Sequence, residues 1–201
     1  MKKILVFVTM IMVALSGTCF AQTKSQIKDA KKQAKLLQKE GWKSDSHRTL
    51  ESLLLEFTML EEENEIYVGR AEDYDNEKVA KNAARRDALR ECVEVANSHF
   101  KGIGDELEGK LKTETIDNLT MAATSKFEGK VTAGFNVKFT IYKENKNGKI
   151  SCQSFCFINK KKFAEAEKTA IQEAAEEAGL EAKAVGDYSK EVTNIINSHE
   201  F

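Results

Sequence analysis

The spacing of apolar residues changes along this chain, from every third or fourth position in most segments to every second position between residues 131 and 158. The most regular stripe lies between residues 76 and 100 and predicts one long helix with an alanine-lined face. Small side chains on that face would let the helix lie close against a sheet. Glycines 102, 104 and 109 are expected to end the helix, and a less regular amphipathic segment follows to about residue 123. The stripe comprises Ala80, Ala84, Ala88, Cys92, Ala96 and Phe100, with Val79, Leu89, Val93 and Ile103 beside it.

Two shorter helices are predicted ahead of the long one. The first covers residues 24–40 and has a narrow apolar stripe, and Gly41 can close it in the left-handed conformation. The second lies in SDSHRTLESLLLEFTMLEEE, where Asp45 or Ser46 is expected to cap a helix with a wide, buried stripe. The two stripes are Ile27, Ala30, Ala34 and Leu37, and Leu50, Leu53, Leu54, Phe57 and Leu60.

A period of two marks the predicted strands. EIYVGRA, residues 65–71, predicts a short strand, and the clear alternation over residues 131–141 predicts a strand with one apolar and one wet face. The dipeptide Asn147-Gly148 favours a tight turn, so that strand should form a hairpin with ISCQSFCFI. The alternating apolar residues of the first hairpin strand are Val131, Ala133, Phe135, Val137, Phe139 and Ile141. In the second, Ile150, Cys152, Ser154, Cys156 and Ile158 share one face, and Phe155 and Phe157 lie on the other.

The C-terminal part returns to helical spacing. KKFAEAEKTAIQEAAEEAG predicts a helix that ends at Gly179, and the following residues form either a short helix or an exposed tail. Its inward residues are expected to be Phe163, Ala166, Ala170, Ile171, Ala174 and Ala178. The element order predicts an α+β fold, in which a small, mainly antiparallel sheet with a hairpin in the C-terminal half packs against the long helix and further helices. We divide the chain into a signal peptide (1–21), an N-terminal helical segment (22–64), an α+β domain (65–180) and a tail (181–201).

The first 21 residues, MKKILVFVTMIMVALSGTCFA, have the features of a bacterial secretory signal peptide. Two lysines precede an apolar run from Ile4 to Leu15, and small residues lead to Ala21, after which cleavage is expected. A membrane-spanning helix needs about 20 apolar residues, so this run is too short to remain as an anchor. The alternative is a lipid anchor on Cys19, although LSGTC does not match a lipoprotein cleavage box well. The mature chain is therefore expected in the periplasm or on the outer envelope surface, without a transmembrane segment.

Charge and composition argue against a nucleic-acid-binding protein and against domains joined by a flexible linker. Removing the leader leaves 29 basic and 32 acidic residues, a formal charge of about −3. That balance lacks the basic footprint with which a sequence-independent nucleic-acid binder neutralises phosphates, so no nucleic-acid partner is expected. The chain contains no proline and only 11 glycines, which favours one continuous unit over domains joined by a flexible linker.

Three cysteines remain after the leader, and we expect them to serve as packing residues. Cys152 and Cys156 lie about 13 Å apart along an extended strand, too far to chelate one ion or to bridge each other. The sequence leaves open whether Cys92 pairs with one of them in an oxidising envelope. Free cysteine otherwise behaves as a small buried hydrophobe, and no neighbouring histidine indicates a catalytic thiol.

The remaining polar motifs predict no metal, cofactor or catalytic site. His47, His99 and His199 lack metal-ligand spacing and are expected on the surface. The acidic runs EEENE and EDYDNE lack the glycine and closing glutamate of a calcium loop. GIGDELEG follows a helix rather than a strand, so it predicts a helix stop and turn instead of a phosphate loop. The arginines of ARRDALRE are interleaved with acids and should form helix-surface ion pairs.

Residues 65–160 resemble the LPP20-like envelope lipoproteins and the related N-terminal domain of the flagellar assembly protein FlgT. The resemblance rests on a short strand with a glycine, a long alanine-rich helix and antiparallel strands after it, with matches at Gly69, Ala80, Ala84, Arg85 and Ala88. This chain departs from the family pattern in two ways: its leader lacks a good lipoprotein cleavage box, and its two N-terminal helices lie outside the shared segment. The resemblance implies an envelope location and this fold, and it implies no chemistry.

Two functions remain open at this point. The first is a non-catalytic binding or structural module whose partner is an envelope protein or a wall component. The second is a small-ligand-binding protein, or an enzyme of unrecognised type, with a pocket between the hairpin and the long helix near Cys92 and Cys156. An apolar pocket there, lined by convergent polar groups, would favour the second function. A filled interface there, together with a large exposed apolar patch elsewhere, would favour the first.

Overall fold

The structure is a computed structural model that describes residues 19–106 and 113–177. Its helices are α1 (Cys19–Lys39), α2 (Leu50–Met59), α3 (Glu77–Glu106), α4 (Thr113–Val131) and α5 (Lys160–Glu177), and a short 3-10 turn (Leu60–Glu62) follows α2. Its strands are β1 (Lys43–Ser44), β2 (Asn64–Tyr74), β3 (Asn136–Glu144) and β4 (Ile150–Asn159). The predicted leader up to residue 18, Gly109, Gly179 and the predicted tail lie outside the described residues.

The four strands form one antiparallel sheet in the order β1-β3-β4-β2. The hairpin of β3 and β4 is central, and its turn has Gly148 at φ +74°, a conformation that favours glycine. β2 and the very short β1 lie at the two edges. This antiparallel sheet with its packed helices confirms the predicted α+β fold.

Helices cover both faces of the sheet. The outer layer, α1 and α2, packs on one face, where Phe57 of α2 contacts Phe139 and Phe155 edge-on at ring-centroid distances of 6.1 and 5.2 Å. The inner layer, α3, α4 and α5, packs on the other face. Tyr67 and Cys156 of the sheet belong to the hydrophobic cluster that this layer forms. Covering both faces explains why β4 is buried along most of its length.

The long helix α3 shows the predicted stripe most clearly. Ala80, Ala84, Ala88, Cys92, Ala96, Phe100 and Ile103 are all fully buried. Gly69 of β2 lies directly beneath this stripe: a Cβ placed there would lie 1.9 Å from the Ala84 carbonyl oxygen and 2.3 Å from the Ala88 backbone nitrogen. The helix and the strand therefore approach so closely at this point that only glycine fits.

The prediction for residues 131–141 is partly wrong. Val131 ends α4, and β3 begins only at Asn136. An irregularity between Val137 and Phe139 adds one residue to β3 relative to β4 and breaks the alternation. Phe135 consequently packs with the inner layer and Phe139 with the outer layer, while Val137 is 40% exposed.

The helix-stop prediction at Gly102 and Gly104 is also wrong, because α3 continues through both to Glu106. Gly104 meets α4 there, and a Cβ on it would lie 2.6 Å from Ile116 Cγ2. Close helix packing, rather than a turn, explains this glycine.

Other element boundaries differ from the prediction. Thr49, and not Asp45 or Ser46, caps α2, since its side chain accepts a hydrogen bond from the Ser52 backbone N–H. Val79 and Ile27, expected on the inward faces of their helices, are 47% and 42% exposed. Gly41 does adopt the left-handed conformation, at φ +84°.

Candidate functional site

The predicted cysteine positions lie in the inner face of the sheet and in α3. Cys92, Cys152 and Cys156 are free and almost wholly buried, so the disulfide considered for Cys92 is not formed. Burial raises the pKa of Cys92 and of Cys156 to about 12, and that of Cys152 to about 11. Because the thiolate is the nucleophile, thiols with these pKa values are unreactive at neutral pH.

The space between the hairpin and the long helix is filled. Cys92, Cys156 and Ala88 have no exposed surface, and they belong to one continuous hydrophobic cluster with Tyr67 and Phe100. Gly69 brings the backbone of β2 against α3 beside them. The pocket that would favour ligand binding at this interface is therefore occupied by the protein's own side chains.

The inner layer nevertheless contains a buried polar pair that the sequence analysis missed. Glu167 of α5 is only 1% exposed, and its Oε1 lies 2.8 Å from Nδ1 of His99 on α3. Its second oxygen, Oε2, is buried without a hydrogen-bond partner. His99 was expected on the surface, and instead its half-buried ring links two core helices.

The electrostatic surroundings of this pair come from three elements. The hydrogen bond to Glu167 raises the pKa of His99, while burial raises the pKa of Glu167. Glu65 on β2 adds negative charge that raises both pKa values further. The Tyr67 hydroxyl is buried beside the Cys92 thiol, and burial raises the pKa of Tyr67 well above its usual range.

A histidine oriented by a carboxylate is a common element of acid–base catalysis. A nucleophile would have to lie within hydrogen-bond reach of the imidazole, and the nearby hydroxyl and thiol are buried and protonated. The Phe163 ring also packs edge-on against His99, with centroids 6.3 Å apart. The pair is thus arranged to hold a proton between α3 and α5 and to join those helices.

A shallow cleft of about 450 Å³ opens elsewhere, between the C-terminal end of α4 and α5. Its charged lining includes Lys130, Lys162 and Glu165. Lys130 already donates to Glu173 at 2.7 Å, so its charge is largely compensated within the protein. The Thr169 hydroxyl, which also lines the cleft, donates its proton to the backbone oxygen of Glu165 at 2.7 Å, so no side-chain base activates it.

The other polar residues singled out in the sequence lie apart from one another. His47 is exposed, and Asp87 and Arg90 form the helix-surface ion pair expected for ARRDALRE, at 2.6 Å. Asp87 also accepts a hydrogen bond from the Arg70 backbone N–H at 2.9 Å, tying β2 to α3. Over residues 19–106 and 113–177, no three His, Cys, Asp or Glu side chains are placed to hold a metal ion. His199 lies outside the described residues.

One feature of the sequence could have predicted half of the buried pair, namely an acidic residue on the apolar face of α5. Glu167 follows Phe163 by four positions and precedes Ile171 by four, so an acid occupies the apolar face of α5. Acidic residues are almost never fully buried unless they are paired, and this position therefore called for a partner. Which residue would supply it depended on how α5 packs against α3.

Within the described ranges, none of the helices has an apolar stretch long enough to cross a bilayer. No protein-family model matches the chain, and comparison with curated proteins and with solved structures found no match either.

Proposed function

We propose that this chain is an exported cell-envelope protein that acts as a non-catalytic binding or structural module. The observation that carries the proposal is the filled interface between α3 and the hairpin, where Gly69, Cys92 and Cys156 leave no space for a ligand. The buried thiols of this interface stay protonated at neutral pH and therefore offer no nucleophile, which also supports a non-catalytic role. The secretory character of residues 1–21 supports the location, as does the resemblance of residues 65–160 to LPP20-like envelope proteins.

The partner in this proposal is an envelope protein or a wall component. Large exposed apolar side chains are distributed over several elements, one or two on each, among them Met59, Met121 and Val137. Scattered residues of this kind are normal on a protein surface. The large exposed apolar patch expected of a binding module is therefore not formed by the described residues, and recognition of the partner would depend mainly on polar and charged surfaces.

The export part is tested by expressing the chain with a C-terminal tag, fractionating the cells and determining the N-terminus of the product by mass spectrometry. We expect an envelope fraction whose product begins at Gln22. A cytoplasmic product with Met1 intact would contradict export. A product that begins at a lipid-modified Cys19 would show that the protein is anchored in the membrane by a lipid instead of being released by cleavage after Ala21.

The binding part is tested by crosslinking in intact cells followed by purification of the tagged protein. We expect a discrete envelope protein or wall fragment to copurify. Recovery of a stoichiometric small metabolite without either partner would refute the binding-module proposal and favour the small-ligand-binding alternative.

A further inference from the structure

The outermost helix, α1, carries a row of lysines on the face turned away from the rest of the protein. Lys28, Lys32, Lys35 and Lys39 are separated by four, three and four positions, so at about 100° per residue they fall within about 60° of one another around the helix axis. All four are exposed. The buried residues of the same helix, Ala30, Ala34 and Leu37, lie on the opposite side and pack in the outer layer.

This row concentrates charge that the rest of the chain does not share. Helix α1 contains six lysines and one acidic residue, Asp29, whereas residues 40–201 contain 23 basic and 31 acidic residues. Lys31, beside the row, lies 3.9 Å from Glu51 of α2. Among the described side chains, no acid lies within ion-pairing distance of Lys28, Lys35 or Lys39. Their charge is therefore available to an external anion.

The shape of the row indicates which anion. From Lys28 to Lys39 the row extends about 17 Å along a straight helix, from the 1.5 Å rise per residue. It consists of lysines alone, and a lysine is a point charge on a flexible stem, without the forked geometry by which arginine recognises individual phosphates. Leu36, 50% exposed, flanks the row and adds apolar surface. A straight row of point charges with adjoining apolar surface suits a plane of charged headgroups.

We propose that α1 docks lengthwise on the surface of an anionic phospholipid bilayer through Lys28, Lys35 and Lys39. The acidic excess of the remaining chain orients the molecule, because it turns the other surfaces away from the negative headgroups. The biological setting rests on the proposed envelope location, whereas the surface itself is tested independently of export.

The experiment measures how the full-length chain partitions between buffer and vesicles at low salt. Vesicles with one part phosphatidylglycerol to two parts phosphatidylcholine are compared with vesicles of phosphatidylcholine alone. Taking the ratio of the two partition coefficients cancels any apolar contribution of residues 4–15, which acts on both vesicle types. At about fivefold for each of three lysines, we expect the ratio to be on the order of 100 or more at low salt and to fall at high salt.

The test variant combines Lys28→Gln, Lys35→Gln and Lys39→Gln. A lysine near an anionic surface increases binding by about fivefold, so the triple variant should lower the ratio by roughly 100-fold. The single change Lys35→Gln should lower it by about fivefold. Thermal melting is recorded for both, because the buried stripe of α1 is untouched and the melting temperature should not change.

The charge-matched control combines changes to glutamine at three exposed lysines on the hairpin turn and α5, Lys146, Lys161 and Lys168. It removes the same net charge and should leave the ratio close to that of the unmodified chain. Equal losses in the two triple variants, or a ratio of one for the unmodified chain, would overturn the inference. Binding to a soluble polyphosphate together with a vesicle ratio of one would overturn it as well. Any of these results would leave the export proposal standing, since cell fractionation tests that proposal separately.

Discussion

Replacing Gly69 with alanine tests the contact on which the arrangement of helix and sheet depends. The added methyl group would lie 1.9 Å from the Ala84 carbonyl oxygen, 2.3 Å from the Ala88 backbone nitrogen and 2.8 Å from the Ala88 Cβ. Two of these three atoms belong to the backbone of α3 and cannot move aside by rotation of a side chain. The whole helix must therefore shift away from β2.

We expect the substitution to lower the free energy of unfolding by about 3 kcal/mol or more, which is the upper end of the range for overpacked cores. A typical protein has a total stability of about 5–15 kcal/mol. For a chain of this size, that cost lowers the melting temperature by roughly 6–12 °C. Urea unfolding followed by circular dichroism measures the free energy, and a thermal scan measures the melting temperature. Combining the change with Ala88→Gly should restore little, because that second change removes only the Cβ contact.

Gly129→Ala provides the matched control. Gly129 lies in α4, and a Cβ there meets nothing within 4 Å. Since alanine is the better helix former, this change should stabilise the protein by up to about 1 kcal/mol. If Gly69→Ala costs less than about 1 kcal/mol, α3 does not lie against β2 as described, and the filled interface behind the proposed function is refuted.

Three further predictions concern the buried pair, the thiols and a helix cap. The pKa of His99 is raised in the fold, so the stability from its pairing is fully present below about pH 6.5 and is lost as the pH rises through the raised pKa; burial likewise raises the pKa of Glu167 from 4.5, so stability also falls as the pH rises from there through that raised pKa. Glu167→Gln should flatten this decline in the free energy of unfolding, whereas Glu165→Gln, at an exposed site on the same helix, should preserve it; parallel pH profiles for the two variants would contradict the pairing. In a Cys19→Ser chain, an aromatic disulfide reagent should label the native protein only as it unfolds, and complete labelling within minutes would contradict the burial of Cys92, Cys152 and Cys156. Thr49→Ala should cost about 1 kcal/mol in urea unfolding and Ser46→Ala less, and the reverse order would restore the cap expected from the sequence.

The long helix and the hairpin turn were predicted most accurately. The stripe of α3 recurs strictly at every fourth position, and each predicted member from Ala80 to Phe100 is buried. The turn at Asn147-Gly148 was also correct, since the positive φ of Gly148 is a local requirement of a tight hairpin. Both features depend on neighbours within a few residues, so the sequence contains the information.

The errors occurred where two elements compete for the same residues. Leu119, Ala123, Phe127 and Val131 continue a helical spacing, and Val131 is also the first member of an alternating pattern that continues into β3. Packing of α4 against α3 and α5 favours the helix as far as Val131. The bulge near Lys138 likewise follows from pairing with β4, which no local pattern shows.

The candidate sites show the same division. The sequence by itself determined that the chain has a lysine-rich N-terminal helix, an alanine-striped long helix, a hairpin and cysteines among apolar residues, because each of these is a matter of composition or local period. Only the tertiary structure decided that Glu167 meets His99, that Gly69 lies under Ala84 and Ala88, and that the lysines of α1 face outward. Such contacts join residues far apart in the chain, and they are set by how whole helices pack on the sheet rather than by the preferences of any one segment.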